Sequence, residues 1–195
     1  LSELIDRAKS TPFEKILFVV GNDFFNSDNS VSQTTLGTFQ HDDVRWQKMF
    51  KTGIQLLVNG IDYMRKFAPV DVVVVPGNHD MTRSFFMGET LDAWYRSDAS
   101  VTVDNRANPR KYYEFGQVLL GFTHGDKEKH ESLRALMAHE AKEAWARTTY
   151  KEFHIGHQHR KINEKWVTTF RNETMFEELG INIRTMSSLA GTDSW

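Results

Sequence analysis

Val72-Val73-Val74-Val75-Pro76-Gly77-Asn78-His79-Asp80 is the stretch on which the fold turns. Four consecutive β-branched residues, bounded by Asp71 and Pro76, suit a strand buried on both faces, as in the interior of a parallel sheet. Pro76 ends the run, and Gly77 opens a loop of N- and O-bearing side chains at the strand's C-terminal end. In open α/β sheets that is where ligands bind.

Working upstream, Trp46, Phe50, Ile54, Leu57, Ile61, Met64 and Ala68 recur at three- and four-residue steps. This predicts a long helix from Val44 that lays an apolar stripe on the sheet, with Asp42 or Asp43 as N-cap and Pro69 as its end. Before it lies a polar stretch over 26–43, rich in Ser, Asn, Thr and Gln and long enough to be a functional loop. Ile16-Leu17-Phe18-Val19-Val20 reads as a second buried strand, ending at Gly21-Asn22-Asp23. Leu1, Leu4, Ile5 and Ala8 predict a short helix in front of it, closed at Thr11-Pro12.

Working downstream, a helix is expected over 84–96, then strands over 101–103, 111–115 and 118–123, the last two joined as a hairpin at Gly116-Gln117. Leu133, Met137, Ala141, Ala144 and Trp145 predict a further helix, and strands are expected over 153–155, 166–170 and 181–189. Strand–helix–strand passages define an α/β class. No repeat, low-complexity tract or linker divides the 195 residues, so a single domain over 1–195 is expected.

Composition narrows the chemistry. With no Cys and eight His, any metal must be held by N and O ligands, and disulfides, thiolate zinc, iron–sulfur clusters and cysteine nucleophiles are excluded. A formal charge of -2 argues against a wholly basic nucleic-acid-binding surface. No apolar run approaches the roughly 20 residues that span a bilayer, so a soluble chain without membrane contact is expected. The chain opens on Leu1 rather than Met, which leads us to expect further sequence upstream.

Four strands end in similar loops: Gly21-Asn22-Asp23, Gly77-Asn78-His79-Asp80, His124-Gly125-Asp126 and Gly156-His157-Gln158-His159. Such ends converge on one sheet edge, and glycine lets backbone and ligand approach closely. His157 and His159 are two apart, so in an extended segment both rings point the same way toward adjacent ions. A two-ion site, its ions about 4 Å apart, also needs a bridging carboxylate, for which Asp23 is the candidate. Asn78 offers a carbonyl oxygen and His124 a nitrogen. His41, His130, His139 and His154 lack this context: His130 and His139 read as solvated helix positions and His154 as a strand residue near the site. The run Asp126-Lys127-Glu128-Lys129 reads as a solvated helix start.

On these residues the chain resembles the calcineurin-like metallophosphoesterase superfamily, whose ordered signature is D-x-H, G-D, G-N-H-D/E, H and G-H-x-H. Gly77-Asn78-His79-Asp80 and Gly156-His157-Gln158-His159 match in full and His124 fits the single-histidine motif. The resemblance implies a layered α-β-β-α sandwich of mixed sheets flanked by helices. It also implies hydrolysis of phosphate esters at two divalent ions, manganese foremost with iron or zinc as alternatives, by metal-bound hydroxide. Asp23, Asn78, His124 and His157 would hold one ion, with Asp23 and His159 left for the other. His79 would serve as the catalytic acid, with Asp80 orienting it. Arg83, Arg160 and Lys161 flank the motifs, either to receive substrate phosphates or as solvated loop cations.

Two departures stand out. No D-x-H motif precedes Gly21, so the domain would lack its first strand and two ligands at the N-terminus, and the 195-residue chain by itself is expected to be weakly active or inactive. Strict alignment also puts Asn22 at the bridging position, and a one-residue shift is needed to bring Asp23 there. Gly-Asn-Asp-Phe-Phe at 21–25 and Thr-His-Gly-Asp at 123–126 are most similar to the DNA-repair exonuclease branch and its phage-encoded relatives. That branch implies a nuclease or phosphodiesterase acting on DNA, a homodimer or an ATPase partner subunit, and a cytoplasmic setting. Alternatives are a phosphomonoesterase or protein phosphatase, and a metal-binding scaffold without turnover.

Overall fold

The four-valine run forms the end of a six-residue strand in which every position is buried. The computed structural model describes residues 2–8, 12–157, 168–170, 173–178 and 180–186. Its elements are α1 (Ser2–Ala8), β1 (Ile16–Gly21), α2 (Trp46–Met64), β2 (Val70–Val75), α3 (Met81–Tyr95), β3 (Val101–Asp104), β4 (Lys111–Phe115) and β5 (Val118–Thr123). Then follow α4 (His130–Glu140), α5 (Lys142–Arg147), β6 (Tyr150–Ile155), β7 (Thr168–Phe170), β8 (Glu173–Glu178) and β9 (Ile181–Thr185). The chain is thus α/β with two sheets and flanking helices. It divides into two compact units, Leu1–Ala107 and Asn108–Trp195. No helix among the described residues is long and apolar enough to cross a membrane.

In the first unit β1, β2 and β3 form a parallel sheet in that order, with Val20 opposite Val74 and Gly21 opposite Val75. Parallel neighbours need a crossover, which α2 and α3 supply. Alternation along β2 directs Val70, Val72 and Val74 into one core with Ile54, Leu57, Ile61 and Met64 of α2 and Met87, Leu91 and Tyr95 of α3. The long helix therefore behaves as its periodicity predicts.

Its start differs. Arg45 occupies the cap position and no side chain caps the helix. Asp42 instead accepts the Ser27 hydroxyl at 2.8 Å, because the 26–43 loop folds onto itself and claims that carboxylate. α3 begins at Met81, three residues before the expected Ser84, so the loop after β2 runs directly into a helix.

In the second unit six strands are ordered β4-β5-β6-β9-β8-β7. β4 and β5 make the expected hairpin, whereas β5, β6 and β9 run parallel to one another. Leu119, Phe153, Ile155, Ile181 and Ile183 share one core with Leu133 and Met137 of α4. The single helix expected near 133–145 is broken at Ala141, whose φ of -117° and ψ of 38° leave the helical region and separate α4 from α5. Trp166 and 187–189, assigned to strands above, lie outside the described residues.

Glu128 was expected to be solvated, but its side chain is only 6% exposed and meets the Arg110 guanidinium at 2.7 Å. The same guanidinium grips Glu140, which also accepts the Tyr112 hydroxyl at 2.7 Å. The Arg110 hydrogen bonds hold the Glu140 carboxyl below its ordinary value. With the folded-state value depressed, the stability from Glu140 is present above about pH 4.5 and is lost as the pH falls through the folded value. Glu140→Gln should therefore unfold earlier than the parent chain in urea at neutral pH, with the gap narrowing as the pH falls below about 4.5. An unchanged gap across that range would count against this role.

Candidate functional site

Each unit carries part of the expected ligand set, and local chain geometry dictates how. In the first unit β1 ends at Gly21, with φ of 112°, where a Cβ would stand 2.1 Å from the Val75 carbonyl oxygen. Only glycine tolerates that approach. Asn22 and Asp23 follow at φ of 68° and 66°. Two successive left-handed residues are rare, and Asn and Asp are among the side chains that accept this region best. The Asn22 amide is held by Val75 O at 2.8 Å, completing the tight exit from the strand.

This exit turns Asp23 onto the loop after β2. Its Oδ1 accepts the His79 amide at 2.9 Å. A Cβ on Gly77 would lie 2.0 Å from that oxygen, so Gly77 is the space into which the carboxylate fits. The Asp23 carboxylate thus meets the Gly77–Asp80 segment. Asn78 is half-buried on the same loop, and its backbone carbonyl accepts the Thr35 amide at 3.2 Å.

Asp80 is fully buried. Its Oδ2 accepts the Phe25 amide at 2.8 Å and its Oδ1 the Gly77 amide at 3.2 Å, so one carboxylate ties the two strand-end loops together. Burial, reinforced by the nearby Asp23 charge and opposed by the Phe25 amide, pushes the Asp80 carboxyl up to about 6. The expectation that Asp80 orients the His79 ring is corrected here: both of its oxygens serve backbone amides, and His79 Nδ1 instead faces Asn26 O at 3.2 Å.

Arg83 is also corrected. It is only 5% exposed, and its guanidinium donates to Ser27 Oγ at 2.9 Å and to Asn29 O, while its amide donates to Asp28 Oδ1 at 2.9 Å. One helical turn into α3, it is drawn inward by the 26–43 loop and clamps it. The acceptors Ser27, Asp28 and Asn29 were not singled out in the sequence. The signal was present only as a polar loop too long to be a mere connection.

In the second unit β5 and β6 run parallel and end side by side, with Thr123 opposite Ile155. The Gly156 amide donates to His124 O at 3.0 Å. That pairing brings His124, 3% exposed, against the exposed His157, with His124 Nε2 and His157 Nδ1 3.0 Å apart. His157 stands at φ of 61°. The extended segment expected at 157–159 therefore fails at its first residue: the left-handed kink, and not strand alternation, aims this ring. His159, Arg160 and Lys161 lie outside the described residues. His154 sits on β6 opposite Phe122 of β5, with its Nε2 2.6 Å from Glu152 Oε1.

The strained backbone at Asn22, Asp23 and His157 is a recurrent property of functional loops, where surrounding structure holds conformations that cost about 1–3 kcal/mol each. Two ring nitrogens bound to one ion at about 2.1 Å are separated by roughly 3.0–3.4 Å, the range into which the His124–His157 pair falls. Comparison with protein-family models, with curated proteins and with solved structures finds no match.

Proposed function

We propose that this chain is a metallophosphoesterase that hydrolyses phosphodiesters, with nucleic acid, DNA in particular, as its substrate class. The observation that carries the reading is the His124–His157 pair, whose ring nitrogens share a hydrogen bond at 3.0 Å and are close enough for both to bind one divalent ion once that proton is lost. Within the first unit, the Asp23 carboxylate is braced on the Gly77-Asn78-His79-Asp80 loop by the His79 amide. By the resemblance, Asp23, Asn78, His124, His157 and His159 would be the residues that hold divalent ions. N and O donors without thiolate suit manganese, with iron or zinc as alternatives.

Bound ions would supply Lewis-acid polarisation of a phosphoryl oxygen and a water of lowered pKa. This chain's own residues do the rest. His79, fixed at its amide by Asp23 and at Nδ1 by Asn26, presents Nε2 for proton transfer at the ester oxygen. Asp80 keeps the loops in register from beneath. A cytoplasmic setting and a second copy or an ATPase subunit as partner belong to the same proposal.

The test is hydrolysis of bis(4-nitrophenyl) phosphate and of DNA with added Mn²⁺. Turnover should vanish with chelator, and His79→Ala should lower kcat about 100-fold while leaving Mn²⁺ binding in place. Turnover that ignores both chelator and His79→Ala would sink the reading. Preference for 4-nitrophenyl phosphate would replace the diesterase with a phosphomonoesterase. Mn²⁺ binding without turnover on any ester would leave a metal-binding scaffold.

A further inference from the structure

The residues on either side of Asn26 are fastened to a single short stretch of chain. The Phe25 amide is held by Asp80 at 2.8 Å, and Ser27 Oγ by the Arg83 guanidinium at 2.9 Å. Asp28 accepts the Arg83 amide at 2.9 Å, and Asn29 O accepts the guanidinium's other arm. Asp42 adds a brace from within the loop, taking the Ser27 hydroxyl at 2.8 Å and the Asn26 side-chain amide at 3.2 Å. The carbonyl of Asn26, thus immobilised, faces His79 Nδ1 at 3.2 Å. His79, Asp80 and Arg83 all lie at the start of α3, so the histidine and the group that fixes it are mounted on one rigid junction.

A backbone carbonyl can only accept a hydrogen bond. Opposite it, Nδ1 must carry the proton, which leaves Nε2 as the nitrogen free to meet a reacting oxygen. We infer that Arg83 is a positioning residue: by clamping 27–29 it holds the Asn26 carbonyl on His79 and thereby sets the tautomer and ring orientation of His79. Its cationic head is spent on the loop rather than offered to substrate phosphate. Partners that orient an active-site histidine in this way are typically worth about 10–100-fold in activity when removed.

The kinetic arm of the test rests on the phosphoester reading, and the spectroscopic arm does not. In metal-free protein with nitrogen-15 histidine, measured at alkaline pH, His79 should show a pyrrole-like Nδ1 and a pyridine-like Nε2. Arg83→Met should turn this into a tautomer mixture. An identical His79 spectrum in parent and Arg83→Met would overturn the inference. Should Arg83→Met fail to fold, Arg83→Lys and Ser27→Ala read the same signal by weakening the clamp at one end.

With Mn²⁺ and bis(4-nitrophenyl) phosphate, Arg83→Met should lower kcat about tenfold or more with KM within about twofold. It should add nothing in a His79→Ala background, because the two changes act through one group. A rise in KM, or an undiminished loss in that background, would make Arg83 a substrate contact and defeat the inference. Absence of turnover in the parent chain would count against the phosphoester reading alone, with the nitrogen-15 result still deciding this one.

Discussion

Gly77→Ala should cost about 3–5 kcal/mol of stability and abolish divalent-metal binding together. An added Cβ would lie 2.0 Å from Asp23 Oδ1 and 2.4 Å from the Asp23 amide. The nearer atom belongs to the carboxylate that accepts the His79 amide, and the farther one to backbone already in the left-handed region. Neither can retreat without breaking the strand exit, so the change resembles overpacking with loss of a buried hydrogen bond, each about 1–3 kcal/mol. Gly116→Ala is the control, since a Cβ there meets nothing within 4 Å and only its φ of 54° is strained. Thermal melts and Mn²⁺ titration of both variants decide the matter. A Gly77→Ala protein that matched Gly116→Ala in melting and still bound Mn²⁺ would show that the Asp23–Gly77 contact carries no weight.

Asp80→Ala is the second large effect, with about 2–5 kcal/mol expected. It strands the Phe25 and Gly77 amides in a buried setting, where each unsatisfied donor costs about 1–3 kcal/mol. The pH dependence separates this role from mere packing. The folded-state value of about 6 lies above that of a free carboxyl, 3.8, so between these limits the folded chain holds more proton than the unfolded one. Stability from this group is therefore full below about pH 4 and declines as the pH rises to about 6, by roughly 3 kcal/mol at most. Asp80→Asn, which cannot titrate and can accept only one of the two amides, lacks that slope. Its deficit against the parent chain should narrow as the pH rises from 4 to 7 in chelator. Denaturant titrations at these pH values test it, and parallel curves would contradict a raised Asp80.

Legibility differed from element to element. β2 and α2 could be read because a buried strand and an amphipathic helix each leave a periodic apolar trace. The break at Ala141 could not, since Leu133, Met137, Ala144 and Trp145 keep one helical stripe across it. Asp23 and Gly77 were readable as loop residues, but their fit to one another was not. That fit depends on three successive positive φ values at Gly21, Asn22 and Asp23.

Arg83 and Asp80 show the same dependence in polar chemistry. Both were assigned outward roles, toward a phosphate and toward the His79 ring, from residue type and position. Both turn inward, because the 25–29 segment brings a set of amides, carbonyls and a hydroxyl that no local pattern announces. Sequence alone determined the α/β class, the placement of N- and O-bearing side chains in loops after strands and the exclusion of thiolate chemistry. These follow from short-range periodicity and side-chain type. Only tertiary structure decided which oxygen of which carboxylate meets which amide, that the His157 ring is aimed by a left-handed kink, and that Arg83 clamps a loop. Hydrogen-bond partnership between residues some 55 positions apart in the chain is a property of the packed fold, and sequence spacing carries no record of it.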